Sequence, residues 1–184
     1  MSLSLLPNAL TLLRMFAVGP LVYWLWVGAY RAAFILAVLA GISDLLDGYL
    51  ARRFNWISRF GGVLDPLTDK FFLISTSGML ALLGHFPWWL FTLVILRDGL
   101  IIAGAFYYHY RVTRISRAEP TRLSKLNTFL QILLITGMMW GLAFAGAEQL
   151  WVAGLVYIVA ASTVASGLQY VILWSRKARE HRNS

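Results

Sequence analysis

Hydrophobic positions gather into six long runs broken by short polar stretches, and each run is about the twenty residues that a helix needs to cross a hydrocarbon core. The runs lie near Leu6–Val27, Ala32–Ala51, Phe60–Leu83, Trp88–Tyr110, Leu123–Ala145 and Leu150–Trp174. They predict an all-α integral membrane protein, a bundle of six transmembrane helices. No internal repeat, low-complexity tract or linker divides the chain, so residues 1–184 are expected to form one domain. Val27-Gly28-Ala29 would suit a signal-peptide cleavage site. The first run lacks a basic n-region, however, and Arg14 interrupts it, which favours a retained helix.

Composition supports this reading. The chain is 59% hydrophobic and 13% charged, whereas soluble domains average about 45–50% apolar and roughly 25% charged. It has no cysteine, which excludes disulfides, thiolate metal sites and a cysteine nucleophile. The formal net charge of +8 points, in so apolar a chain, to anionic lipid or a phosphate-bearing substrate rather than to nucleic acid. Basic residues gather on one side: Arg52, Arg53 and Arg59; Arg111, Arg114, Arg117, Arg122 and Lys125; then Arg176, Lys177, Arg179 and Arg182. The opposite connections offer only Arg31. With six spans this asymmetry places both termini in the cytoplasm. Arg14 is expected to snorkel to the cytoplasmic interface, and His181 to lie in a disordered tail.

Four of the eight acidic residues fall within twenty-six positions: Asp44, Asp47, Asp65 and Asp69. A charge inside a bilayer costs at least ~2.5 kcal/mol, so four together need a compensating cation. On a helix Asp44 and Asp47 share a face at i and i+3, and Asp65 and Asp69 do so at i and i+4. An antiparallel hairpin brings the two pairs opposite each other at one depth. Four converging carboxylates suit a hard divalent cation such as Mg²⁺, Mn²⁺ or Ca²⁺. Gly48, Ala51, Gly61 and Gly62 remove bulk beside them, while Arg52, Arg53 and Arg59 add charge complementary to phosphate. Metal, space and arginine are what phosphoryl transfer requires. Two other readings use the same residues: buried ion pairs with Arg52, Arg53 and Lys70, or the ion path of a divalent-cation transporter.

Written out, Asp44-x-x-Asp47-Gly48-x-x-Ala51-Arg52, eight residues, Gly61, three residues, Asp65, three residues, Asp69 resembles the signature of the CDP-alcohol phosphotransferase family at every motif position. Pro7-Asn8-Ala9-Leu10-Thr11-Leu12-Leu13-Arg14 resembles the family's usual start of the first span. The resemblance implies that Asp44, Asp47 and Asp65 hold Mg²⁺ or Mn²⁺, one ion or a pair, with Asp69 nearby and also acting as general base. It implies a CMP pocket for the CDP-lipid from Gly48, Ala51, Arg52 and Gly61 beside Asp44, with hydrogen bonds from Ser58, Asn8 and Thr11. It also implies a homodimer, and the expected location is a bacterial inner membrane with the site facing the cytoplasm.

The donor would then be CDP-diacylglycerol, and two stretches bear on the acceptor. Arg97-Asp98 resembles the version found in cardiolipin-making members, where glycerophosphate users tend to have Arg-Glu. Ser124-Lys125-Leu126-Asn127 resembles the same branch, with Asn127 where a glycerophosphate user carries a second lysine. Arg97, Asp98, Lys125 and Asn127 are therefore the candidate acceptor residues, although Arg97 and Asp98 could equally satisfy each other. A phosphodiester carrying one charge needs a second cation less than a phosphomonoester dianion does. The expected acceptor is phosphatidylglycerol, with glycerol 3-phosphate as the alternative.

Overall fold

A computed structural model describes residues 6–53, 61–111, 121–145 and 150–182, with side chains for 12–46, 53, 67–104, 121–144, 151–173 and 175. Among the described residues the structure is helical throughout: α1 (Leu6–Trp26), α2 (Tyr30–Arg53), α3 (Gly61–Leu82), α4 (Trp88–Arg111), α5 (Arg122–Trp140) and α6 (Leu150–Arg182). A single π-helical turn, Gly141–Ala145, extends α5. The apolar runs foretold the helix starts within about two residues, since helix ends move by that much with their caps. The expected disordered tail is corrected: α6 continues through His181 to Arg182. Residues 174–182 carry lysine, arginine, alanine and glutamate without glycine or proline, and nothing there stops a helix.

Two of these helices, Arg122–Phe144 and Trp151–Leu173, are long and apolar enough to cross a membrane, and Leu12–Trp26 is a shorter apolar one. The outer surface is apolar as well as the core, which holds Leu21, Leu80, Leu134 and Val159 together with a few polar side chains. Phe16, Leu45 and Tyr157 are among the most exposed side chains, while Arg14, Arg97, Asn127 and Gln131 are buried. Hydroxyls within helices mostly return to a carbonyl one turn back, as Thr76 does to Phe72 at 2.7 Å and Ser77 to Leu73 at 2.7 Å. A helix surrounded by apolar solvent must satisfy its polar groups in this way.

The chain divides into two compact units. The first comprises Met1–Phe86 with Ile135–Glu148, and the second Pro87–Leu134 with Gln149–Ser184. In the first unit α1 packs against both α2 and α3, and α2 against the π turn. Arg31 of α2 donates from Nε to the carbonyl of Ala143 at 3.0 Å, and Phe34 sits edge-on to Trp140 and Phe144. α1 and α3 end alike. Gly28 and Gly84 take positive φ of 77° and 79°. Beside them Ala29 N–H bonds Trp24 O at 2.8 Å and His85 N–H bonds Leu80 O at 2.9 Å, closing each last turn. Such a cap needs a residue that adopts the left-handed region without a Cβ clash, so Gly28 serves the turn. Tyr30 Oη lies 3.3 Å from His85 Nε2, tying the start of α2 to the end of α3. In the second unit α4 packs on α6, and Thr121 caps α5 by accepting from Ser124 N–H at 3.2 Å.

Candidate active site

The register of α1, α2 and α3 follows from their tied ends. Arg14 stands twelve residues before Trp26, Asp44 fourteen after Tyr30, and Asp69 thirteen before Leu82. At 1.5 Å per residue each lies roughly 20 Å from the glycine-capped end, so the three share one level. Arg14 Nη1 pairs with Oδ1 of Asp44 and also with Oδ1 of Asp69. One nitrogen from α1 thus bridges a carboxylate of α2 and a carboxylate of α3. Arg14 is 5% exposed and its partners 40% and 45%. The cation is buried, and the anions remain open to a ligand.

This corrects the expectation for Arg14: the side chain does not snorkel outward. A guanidinium reaches water only when that costs less than pairing, and here two carboxylates compensate it inside the helix triplet. Asp47 and Asp65 lie on the described backbone of α2 and α3, one turn from Asp44 and Asp69 respectively. Their side chains, and those of Asn8, Thr11, Gly48, Ala51, Arg52 and Gly61, lie outside the described residues, as does Ser58 altogether.

The second unit holds another buried guanidinium. Arg97 donates from Nη1 to Asp98 at 2.6 Å, and from Nη2 to Ser124 Oγ at 2.6 Å and Ser166 Oγ at 2.5 Å. Its guanidinium carbon lies 6.0 Å from the centre of the Tyr170 ring. Arg97 therefore ties α4 to α5 and α6. Asn127, fully buried, accepts at Oδ1 from Ser162 at 2.7 Å and from Thr163 at 2.9 Å. Its Nδ2 and the Nε2 of Gln131, one turn further along α5, are buried without a hydrogen-bond partner among the described residues. Lys125 is exposed. The structure thus joins Arg97 to Asp98 and Asn127 to α6, but leaves Lys125 at the surface. Sequence reasoning missed Ser162, Thr163 and Ser166. Their signal was a polar stripe in an otherwise apolar helix, matching Ser124, Asn127 and Gln131 on α5.

A family profile described as CDP-alcohol phosphatidyltransferase matches residues 4–174. The chain belongs to that family. It is 35% identical over 182 residues to a cardiolipin synthase (CMP-forming) / mitochondrial hydrolase fusion protein of Schizosaccharomyces pombe, covering 91% of this chain and 30% of that protein. It is 34% identical over 177 residues to a cardiolipin synthase (CMP-forming) of Streptomyces coelicolor, covering 84% and 81%. To the chloroplastic CDP-diacylglycerol--glycerol-3-phosphate 3-phosphatidyltransferase 1 of Oryza sativa it is 32% identical over 195 residues, covering 96% and 59%. The chain spans between 30% and 60% of the length of the first curated relatives it matches.

CDP-alcohol phosphatidyltransferases are membrane-associated and generally use a divalent metal, and the residues present fit one. Two carboxylate oxygens, delivered from separate helices, converge on one guanidinium nitrogen, and carboxylate oxygens are the donor type that a hard cation takes. Among the described residues Asp44 and Asp69 are the acidic pair at this point, and no group of three acidic, histidine or cysteine residues gathers. The other two aspartates of the motif are those whose side chains lie outside that set.

Proposed function

We propose that this chain transfers the phosphatidyl group of CDP-diacylglycerol to a hydroxyl of phosphatidylglycerol, forming cardiolipin and CMP in phospholipid biosynthesis. The observation that carries the proposal is the convergence of Asp44 and Asp69, both motif residues of the matched family, on a single cation. Asp44, Asp47, Asp65 and Asp69 would hold a divalent ion, Mg²⁺ or Mn²⁺ and two per site in our reading. When bound, it supplies charge neutralisation at the diphosphate. Asn8, Thr11, Gly48, Ala51, Arg52, Ser58 and Gly61 would bind the CDP-lipid around Asp44.

Asp69 acts as the general base. Its carboxylate takes the proton of the acceptor hydroxyl, the hydroxyl oxygen bonds to the β-phosphorus, and the bond from that phosphorus to the bridging oxygen breaks to release CMP. Arg97, Asp98, Lys125 and Asn127 serve the acceptor. Arg97, already fixed by Asp98, Ser124 and Ser166, would act through rigidity rather than by swinging onto a headgroup.

The working architecture is one catalytic domain over residues 1–184 with six spans. Both termini and the active site face the cytoplasm of a bacterial inner membrane, and two copies form a homodimer. The apolar exposed faces and the one-sided basic connections support the spans and their direction. A second reading, phosphatidylglycerophosphate synthesis from glycerol 3-phosphate, draws support from relatives of that name at similar identity. Divalent-cation transport draws none beyond the acidic residues themselves. The deciding experiment gives the purified protein CDP-diacylglycerol with either acceptor and identifies the lipid by mass. Cardiolipin from phosphatidylglycerol is expected; phosphatidylglycerophosphate alone would move the chain to the second reading.

A further inference from the structure

We propose that Arg14 is a resident surrogate cation: without metal, its guanidinium holds Asp44 and Asp69 together, and a divalent ion binds there only by displacing it. The inference rests on the metal-site reading above. Its basis is the shared atom. Arg14 Nη1 pairs with Oδ1 of both aspartates, so one oxygen of each carboxylate that a metal would draw on is engaged by the guanidinium. A +2 ion and a +1 guanidinium that claim the same oxygens repel each other. The guanidinium is also a weaker contender than a metal, because it spreads its charge over a planar fork.

Burial gives the arrangement its direction. Arg14 projects from an otherwise apolar stretch of α1 and is 5% exposed, so exchanging the carboxylates for water is costly. The aspartates, half exposed, remain reachable by an incoming ion. Two consequences follow. In the absence of metal the three helices stay joined at the level of the site, because the paired carboxylates never face each other uncompensated. Metal affinity, in turn, is lower than four carboxylates alone would give, since each binding event also breaks the Arg14 contacts. Arg14 is thus a positioning residue, which sets how readily the site loads.

The test measures binding and stability rather than turnover. Wild type, Arg14→Gln and Arg14→Lys, purified in detergent, are titrated with Mn²⁺, with free ion followed by electron paramagnetic resonance. Each is also melted in excess chelator and in saturating Mg²⁺. Arg14→Gln should bind Mn²⁺ about tenfold tighter or more, melt lower than wild type in chelator, and gain more from Mg²⁺. Arg14→Lys, which keeps the charge, should stay within about threefold of wild type. Unchanged or weaker binding in Arg14→Gln, with wild type binding normally, overturns the surrogate role and leaves the metal site standing. If neither wild type nor Arg14→Gln binds Mn²⁺, the metal-site reading falls and this inference with it. Should Arg14→Gln fail to fold, ¹⁵N guanidinium signals of the wild-type protein decide. A saturable shift of the Arg14 signal with Mg²⁺ supports displacement, and a static signal overturns it.

Discussion

Two buried arginines, Arg14 in the first unit and Arg97 in the second, solve one problem in opposite ways. Each brings a permanent charge into an apolar helix, where leaving it alone costs several kcal/mol. Arg97 is closed off by one carboxylate, 13% exposed, and two buried hydroxyls. Arg14 is compensated by two carboxylates that are themselves nearly half exposed. Pairing of both terminal nitrogens with buried partners makes a clasp, with Nε of Arg97 the one guanidinium nitrogen lacking a partner among the described residues, whereas compensation by open anions leaves room for another cation to approach. The number of ion pairs does not distinguish the two; the exposure of the partners does.

The largest effect that would break this contrast concerns the open site. Chelation should abolish CMP release, and added Mg²⁺ or Mn²⁺ should restore it, measured as CMP formed from CDP-diacylglycerol. Full turnover in excess chelator would make the Arg14 pair a clasp like the other. Next in size, Asp69→Asn should lower kcat by ~10²-fold or more while CDP-lipid binding persists, read by single-turnover kinetics beside a binding titration. Normal turnover would remove Asp69 from the reaction.

How far these regions could be read in the sequence differs for physical reasons. Six apolar runs match six helices because length and hydropathy are local properties, while the shared faces expected of Asp44 with Asp47 and of Asp65 with Asp69 fall partly on side chains outside the described residues. Arg14 was misread because its partner Asp69 is fifty-five residues away, and no local pattern distinguishes a snorkelling arginine from a paired one. Arg97 and Asp98 were legible as a pair by adjacency. Ser166, sixty-nine residues from Arg97, was not. The helical continuation past Trp174 was hidden by treating charge as the end of structure, although charge ends only the apolar run.

The closed region should respond in stability before it responds in chemistry. Arg97→Ala removes the donor to Asp98, Ser124 and Ser166 together and should destabilise the protein by about 3–5 kcal/mol. The check is a lowered thermal midpoint at saturating metal, with Mn²⁺ affinity unaltered in the folded fraction. A loss of metal affinity with stability intact would reverse the two roles. The smallest expected effect concerns Asn127, which is buried against Ser162 and Thr163. Asn127→Lys should raise the ratio of glycerol 3-phosphate to phosphatidylglycerol turnover about tenfold, one charge-assisted contact, while lowering stability. An unchanged ratio would take Asn127 out of acceptor choice.

The glycine-capped ends of α1 and α3 have a mechanical consequence. With Tyr30 and His85 in contact there, that end of the three helices is a fulcrum, and Asp44 and Asp69 sit on lever arms roughly 20 Å long. A relative tilt of about 3° around the fulcrum moves one carboxylate by about 1 Å against the other. That displacement separates a good ligand distance for a small hard cation from a useless one. On the proposed metal site, stiffness at that distant end, set by two glycines and a tyrosine–histidine contact, would set how sharply the carboxylates are gauged against each other.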